Sequence, residues 1–121
     1  MLKVTAAVIR DGDKILLCQR PENKRHGLLW EFPGGKVEPG ETEEACIVRE
    51  CNEELSVILG KIKKLTTIEA DDISISYFEA VIESGILKKN EHNDIRWINP
   101  KDINSYKLCP NDRAMVDKVT L

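Results

Sequence analysis

The chain has no excess of basic residues: 18 Lys and Arg stand against 21 Asp and Glu in 121 residues, a formal charge of -3. A module that wraps duplex nucleic acid needs a net basic footprint, so that role is disfavoured. Long apolar runs are also missing. The opening stretch Met1-Leu2-Lys3-Val4-Thr5-Ala6-Ala7-Val8-Ile9 meets Arg10 and Asp11, too short for a signal peptide or a membrane span. The expected location is cytoplasmic, with no membrane partner. Cys18, Cys46, Cys51 and Cys109 have neither C-x-x-C spacing nor the density of a secreted disulfide framework, and two histidines add little toward a zinc site. They read as reduced, mostly structural thiols. No internal repeat, low-complexity tract or Pro/Gly/Ser linker interrupts the chain, so residues 1–121 read as one domain. At 41% hydrophobic and 32% charged, its composition is that of an ordinary folded domain.

What is present falls into a clear order. Lys3 to Ile9 and Lys14 to Gln19 are β-rich runs around the turn signal Asp11-Gly12-Asp13. Residues 21–41 hold three of the five prolines and four of the seven glycines, which makes a long structured loop around one extended piece, Trp30-Glu31-Phe32. Such loops are usually functional. Thr42 can cap a helix running to Leu55, with Glu43 and Glu44 where the helix dipole favours negative charge. Ile62 to Glu69, Ile73 to Ile82 and Ile95 to Ile98 read as strands, and Asn111 or Asp112 can cap a last helix to Val119. The pattern β-β-loop-α-β-β-β-α predicts an α/β (α+β) fold with a mixed sheet covered by helices.

On a helix turning about 100° per residue, Ala45, Ile47, Val48, Cys51 and Leu55 form one broad core side. Glu50, Glu53 and Glu54 gather on another face at i, i+3 and i+4. Like charges at that spacing repel by a few tenths of a kcal/mol per pair, so the cluster makes better sense with a cation on it. A solvated acidic face is the plainer account of the helix taken alone. The loop ahead of it, Pro33-Gly34-Gly35-Lys36-Val37-Glu38-Pro39-Gly40-Glu41, tips the balance, because its glycines let backbone come close to a ligand or metal. Oxygen-only donors with open positions suit Mg²⁺ or Mn²⁺ bridging to substrate phosphates.

The stretch from Gly35 to Val57 resembles the Nudix box: Gly, five residues, Glu, seven residues, Arg-Glu, an aliphatic, one residue, Glu-Glu, one residue, Gly, an aliphatic. Gly35, Glu41, Arg49, Glu50, Glu53, Glu54 and Val57 match, while Cys51 replaces the aliphatic and Ser56 the late glycine. A serine at that helix exit should cost stability before activity. The resemblance implies the Nudix fold, an α/β/α sandwich around a mixed sheet. It also implies hydrolysis of a nucleoside diphosphate linked to another group, by water attack on phosphorus with divalent cations held by the box. On that basis Glu50, Glu53 and Glu54 inherit the metal-ligand role, with the Gly34 carbonyl as an extra ligand and Glu50 as general base. Arg49 and Glu41 would orient helix and loop.

The run from Gly27 to Glu38 is further similar to the MutT-type nucleoside triphosphate pyrophosphohydrolases, whose reaction yields a monophosphate and pyrophosphate. That likeness makes Arg20, Arg25, Glu31, Phe32, Pro33, Gly34 and Asn111 substrate-binding candidates, with Asn111 reading the base. Glu91, spaced from Trp97 as a MutT metal-site glutamate is, becomes a further ligand or the alternative base. Plainer accounts stand beside these: a solvated strand-end charge for Arg20, one charge in a polar loop for Glu91, a helix cap for Asn111. Leu2, Val4 and Ala6 fall where such proteins line the base pocket, and Lys24, Arg25 and His26 form a basic cluster nearby. Asp71-Asp72 lacks the aromatic and basic residues MutT carries there. The implied cofactor is Mg²⁺, with Mn²⁺ as substitute. The implied partner is a nucleotide such as 8-oxo-dGTP, and the chain would act as a monomer or homodimer. Cytidine triphosphates, another nucleoside diphosphate derivative, or a non-catalytic nucleotide sensor are the alternatives.

Overall fold

The computed structural model describes residues 1–121. Successive residues of its first strand, β1 (Leu2–Asp11), serve opposite faces: Ala6 and Val8 enter one hydrophobic cluster, Ala7 and Ile9 the other. Strands buried on both faces read as continuous apolar runs, which explains why Ala6 to Ile9 shows no alternation. Gly12, at φ 60°, closes a two-residue hairpin loop into β2 (Lys14–Gln19), whose Ile15 to Cys18 are likewise buried on both sides.

β3 (Trp30–Glu31) pairs with β2, and β4 (Gly34–Lys36) lies antiparallel on β1. The helix α1 (Glu43–Leu55) follows, then β5 (Val57–Ala70), β6 (Ile73–Gly85), β7 (Asp94–Ile98), a 3₁₀ turn (Pro100–Ser105) and α2 (Pro110–Lys118). The sheet runs β3-β2-β1-β6-β5, with β4 also on β1 and β7 on β2. β1 and β6 pair in parallel and the other strand pairs are antiparallel, so the sheet is mixed. Ile47, Cys51 and Leu55 of α1 pack on one face; Met115 of α2 and Ile103 of the 3₁₀ turn pack on the other. This is the expected helix-sheet-helix sandwich.

Thr42 caps α1 as expected, its hydroxyl accepting from the Ala45 amide at 3.1 Å. Other expectations need correction. Within α1, Ala45 is exposed and Cys46 is buried in its place. Cys51, the departure from the box pattern, is fully buried among Ile47, Leu55 and Phe78, so a thiol serves there as a small hydrophobe. All four cysteines are buried and unpaired. β5 begins at Val57 rather than Ile62, because Gly60-Lys61, which looks like a turn, is a bulge inside the strand, with Lys61 at φ 51°. β6 extends to Gly85. Neither Asn111 nor Asp112 caps α2: Cys109 is the cap residue, without a side-chain bond, and Pro110 opens the first turn. Pro33 is buried, its carbonyl accepting from the Ala7 amide at 2.8 Å.

Ser56 terminates α1 in the left-handed region, at φ 61° and ψ 33°. That conformation costs a non-glycine residue about 1–2 kcal/mol, partly offset by the hydrogen bond that Asn90 Nδ2 donates to Ser56 Oγ at 2.9 Å. Ser56→Gly should therefore stabilise the fold by about 0.5–1 kcal/mol, read from the urea midpoint. A lower midpoint would show that the Asn90 bond outweighs the backbone strain.

Candidate active site

Because β4 pairs with β1, the two glycines ahead of α1 are pressed between strand and helix. A Cβ on Gly34 would overlap the Thr5 carbonyl, and one on Gly35 would overlap the Glu50 carboxylate. Only backbone fits there, and Glu50 rests directly on it.

Arg49 organises the acids around this point. It holds Glu41 through two bonds, Nε to Oε2 at 2.7 Å and Nη2 to Oε1 at 2.9 Å. It also reaches Glu50 at 2.9 Å, Glu53 at 3.3 Å and the Lys36 carbonyl at 3.1 Å. The bond from Arg49, aided by the Glu38 amide, holds the Glu41 carboxyl down at about 2. Arg49 itself is held above its usual value by Glu41 and Glu50.

Glu54 lacks an arginine partner and turns inward, 6% exposed, with His92 Nε2 3.6 Å away. Burial raises its pKa, and Glu50, Glu31 and Glu91 add to the rise. Glu53 and Glu54 also stand at the C-terminal end of α1, where no basic residue offsets the dipole. A buried carboxylate among other carboxylates is stable only with a proton or a cation. Hard oxygen donors, a bare glycine backbone and this uncompensated charge fit a divalent cation. Glu50, Glu53, Glu54 and Glu91 do not converge as a ready-made group of three ligands, since Arg49 holds Glu50 and Glu53 while Glu91 is exposed in its loop. A cation would have to draw these oxygens together.

A cleft of about 770 Å³ runs up to Gly34 and Gly35. Leu2, Val4, Ala6, Phe32 and Tyr77 supply apolar wall, and Arg20, Arg25, His26, Glu31 and Asn111 supply polar groups. Lys24 and Pro33 do not line it. The rim includes Asp71, at the turn between β5 and β6.

Two further buried residues stand at the site. Asp112 is buried in the cleft wall and accepts from the Tyr77 hydroxyl at 3.0 Å. Burial and Glu31 push its carboxyl up to about 7, while Tyr77, the Phe32 backbone and Arg20 oppose the rise. His92 is buried beside Glu31 and Glu54. The Asp112 position was visible as a helix-start acid, but only the tertiary contact with Tyr77 distinguishes it from a cap. Nothing local marks His92.

The depressed Glu41 value has a stability consequence. Between pH 4.5 and about 2 the folded chain binds fewer protons at Glu41 than the unfolded chain, so this contribution falls as pH falls. Glu41→Gln should be less stable than the parent at neutral pH, and the gap should close toward pH 2. Urea midpoints at stepped pH check it; parallel profiles would remove Glu41 as the cause.

No helix is long and apolar enough to cross a membrane. The NUDIX domain model matches residues 1–119. The chain is 35% identical to the CTP pyrophosphohydrolase of Escherichia coli (strain K12), covering 97% of this chain and 90% of that protein. It is 41% identical to the 8-oxo-dGTP diphosphatase of Haemophilus influenzae, covering 98% and 91%. A MutT structure from work on Aliivibrio salmonicida and Vibrio cholerae superposes with a TM-score of 0.83 at 26% identity, covering 97% and 94%. With the Gly35 cradle and the Arg49-centred acids in place, these matches lead to one conclusion: the chain belongs to the Nudix family and is a Nudix hydrolase.

Proposed function

We propose that the protein hydrolyses nucleoside triphosphates to the monophosphate and pyrophosphate with Mg²⁺, acting on oxidised or otherwise modified nucleotides such as 8-oxo-dGTP. The observation that carries this reading is the continuity of the cleft with the box: Gly34 and Gly35 line the cleft, and Glu50 packs on Gly35. A nucleoside in the cleft would thus direct its phosphates toward the carboxylates of α1.

Glu50, Glu53, Glu54, Glu91 and the Gly34 carbonyl would hold the cation, with Mn²⁺ as substitute. A bound divalent cation offsets phosphate charge, polarises phosphorus and acidifies a bound water. Glu50 is the general base in this reading, taking the proton of the attacking water as the P–O anhydride bond breaks and pyrophosphate departs. Glu91 is the alternative base. Arg49 fixes the Glu50 and Glu53 carboxylates through its Nη1. Arg20 and Arg25 face the nucleotide from the cleft, and a guanidinium suits phosphate or a base-edge acceptor.

Base reading falls to Asn111 and Asp112 at the start of α2, with Phe32 supplying an apolar face. An Asp112 carboxyl titrating near 7 offers both a donor and an acceptor at neutral pH, as an amide does. The Asp71-Asp72 turn, without aromatic or basic side chains, and the similarity to a CTP pyrophosphohydrolase favour cytidine triphosphates as the second reading.

Pyrophosphate release with Mg²⁺ across 8-oxo-dGTP, dGTP, CTP, dCTP and 5-methyl-dCTP tests the proposal. Selectivity for 8-oxo-dGTP supports the first reading and preference for cytidine nucleotides the second; silence on all would reject both. Glu53→Gln and Glu54→Gln should lower kcat by at least about a hundredfold with the fold intact, as expected for groups that act at the transition state. Asp112→Ala and Asn111→Ala should instead raise KM about tenfold or more for the preferred base. An unchanged base ranking in both would remove α2 from recognition.

A further inference from the structure

Between the cleft and the acidic helix lies His92, 8% exposed, on the loop after β6. Its Nε2 is 3.0 Å from Glu31 Oε2 and 3.6 Å from Glu54 Oε1, whereas its buried Nδ1 has no partner. Glu31 Oε2, the hydrogen-bond partner of Nε2, is an acceptor, so the ring hydrogen belongs on Nε2. Glu31 meanwhile accepts from Arg20 at 2.9 Å through its other oxygen, and Arg20 Nε donates to the Arg25 carbonyl at 2.7 Å. One run of polar contacts therefore joins the Arg25 loop, Arg20, Glu31, His92 and Glu54.

The loop is fastened on both sides of the ring. Before it, Asn90 donates to the Glu54 carbonyl at 3.1 Å and, through Nδ2, to the Glu53 carbonyl at 3.0 Å. After it, the Asn93 amide donates to the Gln19 carbonyl at 2.8 Å, and Asn93 Nδ2 to Gln19 Oε1 at 2.6 Å. Such double anchoring leaves the imidazole little freedom to move away from either carboxylate.

We propose that His92 is a positioning residue, its Nε2–H bonded to Glu31 of the cleft and its ring edge 3.6 Å from Glu54 of the box helix, so that both carboxylates are held for nucleotide and cation. The proposal rests on Glu54 as a cation ligand. Without His92, Glu54 would face other carboxylates alone, and Glu31 would be held on one side only. Partners of this kind behind a ligating carboxylate typically change metal affinity 10- to 100-fold.

The test compares His92→Ala, which removes the donor, with His92→Gln, whose amide nitrogen can take the place of Nε2. Mn²⁺ binding is measured without nucleotide, by electron paramagnetic resonance, and CMP and 8-oxo-dGMP binding without metal, by calorimetry; circular dichroism and melting verify the fold. His92→Ala should bind Mn²⁺ about tenfold more weakly and bind the monophosphate preferred by the parent more weakly, with His92→Gln restoring both to within about threefold. Turnover should show both a lower kcat and a higher KM. Unchanged Mn²⁺ affinity in His92→Ala, loss in one assay only, or failure of His92→Gln to restore binding would overturn the proposal. A parent chain that binds neither monophosphate, yet loses Mn²⁺ affinity in His92→Ala, would instead overturn the nucleotide reading of the cleft and limit His92 to Glu54.

Discussion

The site depends on one cation that the chain supplies itself. Arg49 lies within 4 Å of four carboxylates, those of Glu38, Glu41, Glu50 and Glu53. Its planar fork grips Glu41 through two bonds while its remaining nitrogen serves the helix acids. A lysine would bring charge without that division of directions. The loop is thereby tied to α1, and the Glu50 carboxylate is held over the Gly35 backbone where no side chain could intervene.

Much of this was legible from residue order. The spacing of Glu50, Glu53 and Glu54, the Thr42 cap and the glycines before it are local features, governed by helix geometry and backbone freedom over a few residues. The illegible parts arise from contacts between distant segments. Gly34-Gly35-Lys36 looks like loop until β1 offers it hydrogen bonds. Asp112 looks like a cap until Tyr77 is seen to donate to it. Ala45 and Cys46 exchange places because the true core stripe of α1 is set by the sheet beneath it, not by apolarity alone. His92 lay beyond local reading because its partners are Glu31 and Glu54, on β3 and α1.

The two parts of the site, the acids beyond Gly35 and the cleft wall, follow different physical rules. Around Arg49 the acids are partly exposed and charged, and their arrangement is electrostatic. Around Asp112 and Tyr77 the groups are buried, desolvation raises the carboxyl, and aromatic packing of Phe32 on Tyr77 at 6.3 Å sets the wall. A polar, solvated end suits phosphates, and a dry end with a few fixed hydrogen-bonding groups suits a base.

The parallel pairing of β1 with β6 puts Leu2 opposite Ile73 and Arg10 opposite Val81. During synthesis β1, β2 and the acidic helix therefore emerge well before the strand that closes β1. Until then one long edge of β1 stays open. Such non-local closure slows folding and lengthens exposure to aggregation. The lysines at Lys3 and Lys14 near the ends of that early hairpin give its edges a charge that resists pairing with another chain.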